Sequence, residues 1–406
     1  MKAILYKKSI PRFIWTRFVS RLGPGWALGP GSMVSLGDVE VPDLPGPDWV
    51  RIRPRLSGVC GSDIATIRGR STPYFSPLIS APFVLGHEIV GTIEETGKGV
   101  EELSRGDRVV VEPALHCAVR GLDSSCNPCQ GGDTGRCERT MEGEIAPGIQ
   151  TGYCRSTGGG WGASLVAHRL QCHKVPEAWD DEAAVLIEPL SCALHAVATE
   201  PPAEDETALV IGCGTIGLLL IAAARTLGHR GPILASARWD HQKEWAMKLG
   251  ATETVPTGLP LYEEIARRTG GRVMPTEMGP PVLTGGVGLV YDCVASGRSI
   301  NQAIRLVRPG GRVVLVGMPG IPFGVDWSAI WHRELIVRGV YAYGAESIDG
   351  KRRRTFDLAF ELMKERAAEL APMVTNRFPL KDYRTALRVA MTAGKSRAVK
   401  VVFTNG

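Results

Sequence analysis

Two short clusters in the first quarter of the chain combine residue types that bind a metal ion and move a proton. The first is Gly58-Val-Cys-Gly-Ser-Asp63, and the second is Gly86-His-Glu-Ile-Val-Gly91. Cys60 offers a soft thiolate, His87 an imidazole and Glu88 a carboxylate, a ligand set that suits zinc. A lone cysteine or histidine is more often a packing residue, so the hypothesis depends on the two clusters occurring together.

A third cluster is a loop of cysteines. Cys126, Cys129 and Cys137 lie beside asparagine, proline and glycine. The start of the chain is not expected to be a secretory signal, because arginines interrupt its apolar stretch and no cleavage pattern follows. In a chain without an export signal, such cysteines indicate a metal site rather than disulfides.

Glycines 212, 214 and 217 form a fourth chemical feature, in Leu209-Val-Ile-Gly-Cys-Gly-Thr-Ile-Gly217. A short apolar run precedes them and a helical pattern follows. Such a turn lets the backbone approach a pyrophosphate, whose charge lies at the N-terminus of the helix. A motif of this kind alone also fits an ordinary strand-to-helix turn. The metal-type residues upstream favour the dinucleotide interpretation.

The elements that must position these residues change in character near Pro189. The first part is rich in Gly, Pro and short β-like runs, with no helix of any length expected before about Trp179. From Glu206 to Val316 strands alternate with helices, which predicts a parallel sheet covered on both faces. The expected strands of the first part are 49–53, 83–85, 88–94 and 108–112. Two amphipathic helices, about 350–370 and 380–393, and a last strand at 398–403 close the chain.

Length and charge limit the function classes. A chain of 406 residues predicts two domains, and a net charge of +5 gives no case for nucleic acid. No run approaches the roughly 18 apolar residues of a membrane helix, so no membrane span and a cytoplasmic location are expected. Near the basic N-terminus, Ile14, Phe18 and Leu22 share a helical face. This face is either a membrane-surface segment or, more simply, an extension packed on its own domain.

Taken together, these motifs resemble the zinc-containing medium-chain dehydrogenase/reductase family (alcohol and sorbitol dehydrogenase-like) over nearly the full length. Matching stretches are also found at 106–111, 187–190 and 308–317. The resemblance implies an α/β protein with a GroES-like, β-rich catalytic domain at 1–190 and 343–406. A doubly wound Rossmann domain at 191–342 interrupts it, and the active site lies in the cleft.

The resemblance also assigns metal ligands. Cys60 and His87 fall where the family binds its catalytic zinc, and Glu88 follows the histidine as in the sorbitol, butanediol and glucose dehydrogenase branches. Glu188 stands where the alcohol dehydrogenase branch has a cysteine ligand. The third ligand is therefore either Glu88 or Glu188, and the sequence leaves both open.

Three more residues receive roles from the same resemblance. Ser62 occupies the proton-relay position, where a hydroxyl passes the substrate proton towards solvent. Asp63 is expected to accept a hydrogen bond from the far nitrogen of His87 and so fix its tautomer. Trp161 matches a segment that often borders the substrate cleft, although a tryptophan after three glycines fits the core equally well.

The family's structural zinc lobe has four cysteines with the spacing C-x2-C-x2-C-x7-C. Cys126, Cys129 and Cys137 match the last three, and Asp123 occupies the first position. A site of three cysteines and Asp123 is expected, since aspartate also binds zinc. The alternatives are a lobe without metal, or substitution by Cys117 or His116.

Cofactor preference depends on the end of the second Rossmann strand. The dinucleotide turn itself is assigned to Gly212, Gly214, Thr215, Ile216 and Gly217. NAD enzymes carry an acidic residue about twenty positions after the glycines, where this chain has Ala237. Arg238 follows and suits a 2′-phosphate, with Ser236 adding a hydrogen bond. NADP is therefore expected over NAD, unless Asp240 binds the ribose and Arg238 only covers the surface.

The expected function is that of a zinc-dependent oxidoreductase that transfers a hydride between an alcohol or polyol and NAD(P), with NADP preferred. A catalytic zinc and, in addition, a structural zinc are expected, in a homodimer or homotetramer. One alternative is a zinc-free quinone or enone reductase of the same superfamily, against which the Cys60, His87 and Glu88 set argues. The other is a non-catalytic nucleotide-binding relative, which an intact ligand set and Ser62 disfavour.

Overall fold

The chain divides into two units in the computed structural model, which describes residues 1–348 and 350–405. The first unit contains Met1–Glu188, Tyr343–Ala345 and the residues from Ala359 onward. The second contains Pro189–Ala342 and Glu346–Leu358. Each unit therefore draws on segments that are far apart in the sequence.

The first unit is built on a seven-stranded sheet and a three-stranded sheet. The large sheet has the order Val374–Pro379, Lys400–Thr404, Trp49–Gly58, Ile89–Thr96, Arg108–Val111 and Cys172–Lys174, with Leu165–His168 also paired to Trp49–Gly58. The small one has the order Val34–Asp38, Lys2–Tyr6 and Phe83–Val84. Along the central strand, Ile52 and Leu56 are buried while Arg53 and Arg55 are exposed, as the two-residue period of a strand requires.

Helices connect these strands and cover the first unit. The α-helices are Ile10–Val19, Gly61–Ile67, Asn127–Gln130, Asp181–Ala184, the larger part of Thr355–Leu370, Tyr383–Met391 and Ala393–Ser396. Short 3-10 turns lie at Pro24–Leu28, Pro73–Leu78, Thr134–Arg136, Arg169–Gln171, Ala371–Met373 and Leu380–Asp382. The principal core of this unit joins the small sheet to the last strand through residues such as Phe83, Trp161 and Phe403.

The second unit contains a six-stranded parallel sheet of the doubly wound type. Its spatial order is Glu253–Val255, Ile233–Ser236, Ala208–Ile211, Val287–Asp292, Val307–Leu315 and Ile336–Gly339. In chain order this is 3-2-1-4-5-6, the order of dinucleotide-binding sheets. The first strand, Ala208–Ile211, is buried at every position because helices cover both faces of such a sheet.

The remaining elements of the second unit are mostly the helices that cover this sheet. They are the larger part of Ile187–Thr199, Thr215–Thr226, Asp240–Lys248, Pro260–Thr269, Gly297–Leu306 and Ser328–His332. Two short strand pairs, Val273–Met274 with Val282–Leu283 and Ala345–Ile348 with Lys351–Arg354, lie outside it. The α/β class and the parallel sheet predicted from the sequence are confirmed.

Two local expectations differ from the structure. Helix Gly61–Ile67 lies in the part where no helix of any length was expected, and so does helix Ile10–Val19, although Ile14 and Phe18 had indicated a helical face there. Both are short, and Pro11 and Gly61 near their starts obscure the helical pattern. By length and composition one helical stretch, 181–199, is apolar enough to cross a membrane. Of that stretch 72% is buried inside the protein, as is also found for core helices.

Candidate active site

Cys60 lies where the central strand of the first unit passes into a helix. Strand Trp49–Gly58 ends two residues earlier, and Cys60 is the N-cap of helix Gly61–Ile67. The carboxylate of Asp63, in the first turn, accepts a hydrogen bond of 3.0 Å from the backbone N–H of Cys60. An acidic residue at this position also interacts favourably with the helix dipole. The thiol is therefore held in a fixed place by its own helix start.

Trp161 holds the two ligand-bearing segments together. Its indole N–H donates to the carbonyl of Gly58 over 3.1 Å, and its backbone N–H donates to Leu85 over 2.8 Å. Gly86 has φ +97°, and a Cβ there would lie 2.4 Å from the indole, so the close approach requires glycine. Trp161 is fully buried against Phe403. The structure thus places it in the core beneath the site, and sequence reasoning had left a border position open.

A direct backbone link completes this arrangement. The N–H of Gly58 donates to the carbonyl of Glu88 over 2.8 Å, and the N–H of Val59 donates to Val401 over 2.9 Å. Three segments that are far apart in sequence therefore meet where the thiol, the imidazole and the last strand of the chain come together. Sheet pairing fixes their register, so the side chains have little freedom to rearrange.

His87 is buried between Asp63 and Cys60. Asp63 Oδ1 lies 3.5 Å from His87 Nδ1, which leaves Nε2 as the nitrogen for a metal ion. Burial on its own lowers the pKa of His87, but the negative charge of Asp63, followed by that of Cys60, raises it well above its ordinary value. The surroundings therefore favour a positive charge at this point, which a zinc ion bound by Cys60 and His87 would supply.

Ser62 presents a buried hydroxyl. Its Oγ is shielded from solvent and has no hydrogen-bond partner among the described residues. A buried hydroxyl without a partner is costly, because its desolvation is not compensated. Nearby, the hydroxyls of Thr66 and Tyr153 are 3.2 Å apart, and the Tyr153 ring lies 6.0 Å from that of His87. Among the described residues, Ser62 Oγ therefore shares with Asp63 Oδ1 and His87 Nδ1 the lack of a hydrogen-bond partner, and it is the hydroxyl of the three.

Glu88 makes an ion pair that sequence reasoning missed. Its carboxylate contacts the ammonium group of Lys400, and both side chains are almost completely buried. Burial lowers the pKa of Lys400, but the charges of Glu88, Cys60 and then Glu188 raise it above its ordinary value. The signal in the sequence was a lysine at the start of the buried run Lys400–Thr404, where a charge is rarely placed without a partner.

The expected ligands of the catalytic zinc lie in the same region of the first unit, but their ligand atoms do not all surround one position. Glu188 is 6% exposed, and both it and Cys60 affect the same lysine as Glu88. Within residues 1–348 and 350–405, however, only the cysteine lobe brings three or more candidate ligand atoms within 4.8 Å of one another. The pairing of Glu88 with Lys400 is one reason, because it directs that carboxylate to the ammonium group. Cys60 and His87 still form a sulfur and nitrogen pair that fits zinc.

The cysteine lobe has the geometry of a preformed metal site. The Sγ atoms of Cys117, Cys126, Cys129 and Cys137 all lie within 4.8 Å of one another. Cys117 Sγ is 3.6 Å from Cys126 Sγ and 3.7 Å from Cys137 Sγ. Zinc–sulfur bonds of about 2.3 Å in a tetrahedron separate the sulfur atoms by about 3.8 Å. The four thiols therefore fit a structural zinc ion.

Asp123 lies outside this set of four, and Cys117, the alternative that the sequence left open, occupies the fourth position among the sulfur atoms. Asp123 is exposed, whereas Cys117 is buried. The reason is a compact turn after Cys117, in which Leu122 N–H donates to the carbonyl of Cys117 over 3.1 Å. The buried guanidinium of Arg120 anchors this turn through hydrogen bonds to backbone carbonyls of Thr140, Glu142, Ile145, Ala146 and Gly148.

A different physical reason accounts for glycine at each of the three positions of the dinucleotide turn. Gly212 has φ +93°, which favours glycine in the turn. A Cβ at Gly217 would lie 2.0 Å from the carbonyl oxygen of Gly212, so this glycine lets the helix pack closely on the strand. Gly214 caps helix Thr215–Thr226, and a Cβ there would meet nothing within 4 Å. Open space at a helix N-terminus is where a pyrophosphate binds. Thr215 and Ile216 begin that helix.

The two residues expected to contact a 2′-phosphate, at the end of the second strand of the parallel sheet, differ in their exposure. Arg238 is exposed, and its guanidinium lies over the ring of Trp239, 5.2 Å from its centroid. Ser236 is buried, and its hydroxyl donates to the carbonyl of Pro256 over 3.0 Å. The carboxylate of Asp240 accepts a hydrogen bond of 2.9 Å from the ammonium group of Lys243. The structure thus leaves Arg238 accessible to a ligand and turns Ser236 into the protein.

Comparisons with known proteins agree with this architecture. Residues 46–177 match the family model of the alcohol dehydrogenase GroES-like domain, and residues 215–365 match that of zinc-binding dehydrogenase. An L-idonate 5-dehydrogenase of Vitis vinifera is 28% identical over 383 residues, which is 93% of each chain. A sorbitol dehydrogenase of Arabidopsis thaliana is 29% identical over 359 residues, 88% of this chain and 89% of the relative.

The fold comparison gives the same result. A solved zinc-binding dehydrogenase from Sinorhizobium meliloti 1021, bound to NADP, superimposes with a TM-score of 0.69 at 26% identity. The alignment covers 92% of this chain and 96% of that one. The likeness therefore extends over both units and not over one motif alone.

Proposed function

Because the chain belongs to the zinc-containing medium-chain dehydrogenase/reductase family, we propose that it oxidises a hydroxyl group of a polyol or related alcohol, with NADP as the preferred hydride acceptor. Membership makes it a zinc-dependent NAD(P) oxidoreductase. The polyol class is supported by the idonate and sorbitol dehydrogenases that it resembles along most of its length. The cofactor preference is supported by Arg238.

Cys60, His87 and Glu188 hold the catalytic zinc in this proposal. Glu88 is paired with Lys400, so Glu188 is the carboxylate assigned to the third position. When bound, zinc supplies Lewis-acid polarisation of the substrate oxygen. Asp63 fixes the His87 ring through Nδ1 and so keeps its other nitrogen available as a ligand.

Ser62 moves the proton. Oxidation of a hydroxyl group releases a hydride from carbon, which the nicotinamide ring accepts, and a proton from oxygen, which must leave the buried pocket. The Ser62 hydroxyl can accept a hydrogen bond from the substrate hydroxyl while it donates its own hydrogen towards solvent. Its buried and unpartnered Oγ, close to the Cys60 and His87 pair, is the observation that carries the catalytic assignment.

Arg238 determines the cofactor preference. The position that normally carries an acidic residue is Ala237, so no carboxylate there repels a 2′-phosphate. The adjacent guanidinium is exposed and has the planar geometry that suits phosphate. Ser236 has no part in this contact, because its hydroxyl is bonded to Pro256.

Steady-state kinetics with both cofactors, over linear alcohols, diols, polyols and aldoses, tests the proposal. We expect turnover of at least one polyol, a higher kcat/KM with NADP than with NAD, and loss of turnover in Cys60→Ser. Arg238→Ala should weaken NADP selectively by about 1.5–3 kcal/mol, the value of hydrogen bonds to a charged group. Arg230→Ala, which removes an exposed arginine elsewhere in the second unit, is the control. A clear preference of the wild type for NAD would refute the cofactor assignment.

An exposed apolar surface in the second unit supports assembly into a homodimer or homotetramer. Ile336–Gly339 is an edge strand of the parallel sheet, and Ile336, Phe323 and Trp331 are exposed. Edge strands with apolar side chains pair readily with a second copy. Light scattering after size exclusion should give at least twice the chain mass, and Trp331→Glu should reduce it. A monomeric wild type would contradict this. A cytoplasmic location stays a prediction.

A further inference from the structure

The outward face of helix Ile10–Val19 is apolar. Ile10, Ile14 and Phe18 follow at intervals of four residues and are 76%, 62% and 60% exposed. Trp15 on the same helix and Leu22 just after it are also largely exposed. We call these five residues, with Trp26 in the following turn, the N-terminal patch. Bulky side chains rarely cluster in this way on a surface that contacts only water.

The inward face of the same helix is already packed on the protein. Thr16 and Val19 are buried, and Phe13 packs against the core of the first unit. The Ser20 hydroxyl donates to the carbonyl of Arg68 over 3.2 Å, and Arg68 donates back to Ser20 over 3.2 Å. The helix is therefore fixed in place. Its exposed apolar side chains therefore do not belong to the core of the first unit.

Positive charge surrounds the N-terminal patch. The chain has lysine or arginine at 7, 8, 12, 17 and 21, and its first acidic residue is Asp38. In the described part of the chain, no carboxylate lies within salt-bridge distance of the cations at 7, 12, 17 and 21. Arg388, from helix Tyr383–Met391, adds a further cation beside Gly25. The surface thus combines apolar bulk with uncompensated positive charge.

We propose that the N-terminal patch binds the surface of an anionic lipid membrane, with helix Ile10–Val19 lying in the plane of the interface. Apolar side chains on one face of a helix enter the boundary between headgroups and acyl chains, while flanking arginines contact lipid phosphates. Trp15 and Trp26 have the amphipathic ring that is enriched at this depth. The absence of any acidic residue before Asp38 favours a negatively charged surface.

Flotation with lipid vesicles tests the proposal on the full chain. One set of vesicles contains phosphatidylcholine alone, and the other contains phosphatidylcholine and phosphatidylglycerol in equal parts. The double variant Ile14→Ser/Phe18→Ser removes apolar bulk from the patch, and Arg12→Glu/Arg21→Glu reverses two of its charges. Leu259→Ser/Met278→Ser is the matched control, since these two exposed apolar residues lie elsewhere. Thermal stability and dehydrogenase activity of every variant verify that it is folded.

We expect the wild type to float with the anionic vesicles, to float far less with the neutral ones, and to be released by salt. Both patch variants should lower binding by at least about tenfold, and the control variant should bind as the wild type does. Failure of the wild type to float with anionic vesicles overturns the proposal. So does an equal loss in the control variant. If the wild type does not float and the mass of its assembly in solution falls by half in Ile14→Ser/Phe18→Ser, the patch is instead a contact with a second copy of the chain.

Discussion

Replacement of Cys117 by serine is the sharpest test of the cysteine lobe, because the sequence spacing favours another residue. Cys117 Sγ lies 3.6 and 3.7 Å from the sulfur atoms of Cys126 and Cys137, and these two are 4.0 Å apart. All three values are close to the separation of about 3.8 Å in a tetrahedral zinc–thiolate site. The variant removes one soft ligand from a set that is already in place.

The expected loss follows from the length of chain that the lobe closes. Cys117 to Cys137 spans 21 residues. A cross-link that closes a segment of this length stabilises the folded state by about 3 kcal/mol in the chain-entropy model. Cys117→Ser should therefore lower the zinc content by about one ion per chain and lower the thermal midpoint. The Michaelis constant should change little, because a structural site does no chemistry.

Asp123→Ala is the matched control, since Asp123 is exposed and outside the sulfur set. It should keep the zinc content and thermal midpoint of the wild type. Elemental analysis of both purified variants, with thermal unfolding followed by circular dichroism, gives the comparison. If Asp123→Ala lost the ion while Cys117→Ser kept it, the assignment of Cys117 would be wrong. A wild type with no zinc in the lobe would refute the structural site itself.

Three further substitutions test the active site. Ser62→Ala should lower kcat by about 10²-fold or more while NADP still binds, and a kcat within a few-fold of the wild type would contradict the relay. Lys400→Met leaves the Glu88 carboxylate buried without its cation and should cost about 3–5 kcal/mol in urea unfolding, with partial recovery when Glu88→Gln is added. Trp161→Phe leaves the Gly58 carbonyl without its donor and should cost about 1–3 kcal/mol, and unchanged stability would show that the bond is unimportant.

Regular alternation was the part of the fold that could be predicted from the sequence. The apolar run before the glycine turn is found as strand Ala208–Ile211, and the helical pattern after it is found as helix Thr215–Thr226. Strong apolar runs bounded by glycine specify a buried parallel strand with little help from the rest of the chain. Helix Gly61–Ile67 was missed because the length of such a short helix is set by tertiary packing and caps rather than by periodicity.

The ligand geometry was harder to predict, because spacing measures distance along the chain and not in space. Asp123 lies three positions before Cys126 and so fits the family spacing, yet the turn anchored by Arg120 brings Cys117 to the sulfur set instead. Lys400 lies more than 300 positions after Glu88, and only the pairing of the last strand with the central strand brings them together. Neither contact leaves a local pattern in the sequence.

Arg120 and Lys400, neither of which the sequence indicated, each place a buried cation beside a set of candidate metal ligands. The balance of charge explains why. Four thiolates outweigh a divalent metal ion by two charges. Burial lowers the pKa of Arg120, and the charges of Cys154, Cys137 and Cys117 act against that lowering. Lys400 stands in the same relation to Cys60, Glu88 and Glu188. Excess negative charge in a protein interior is costly unless a cation compensates it. A ligand set therefore fixes not only the metal that it binds but also the sign of the residues that must surround it.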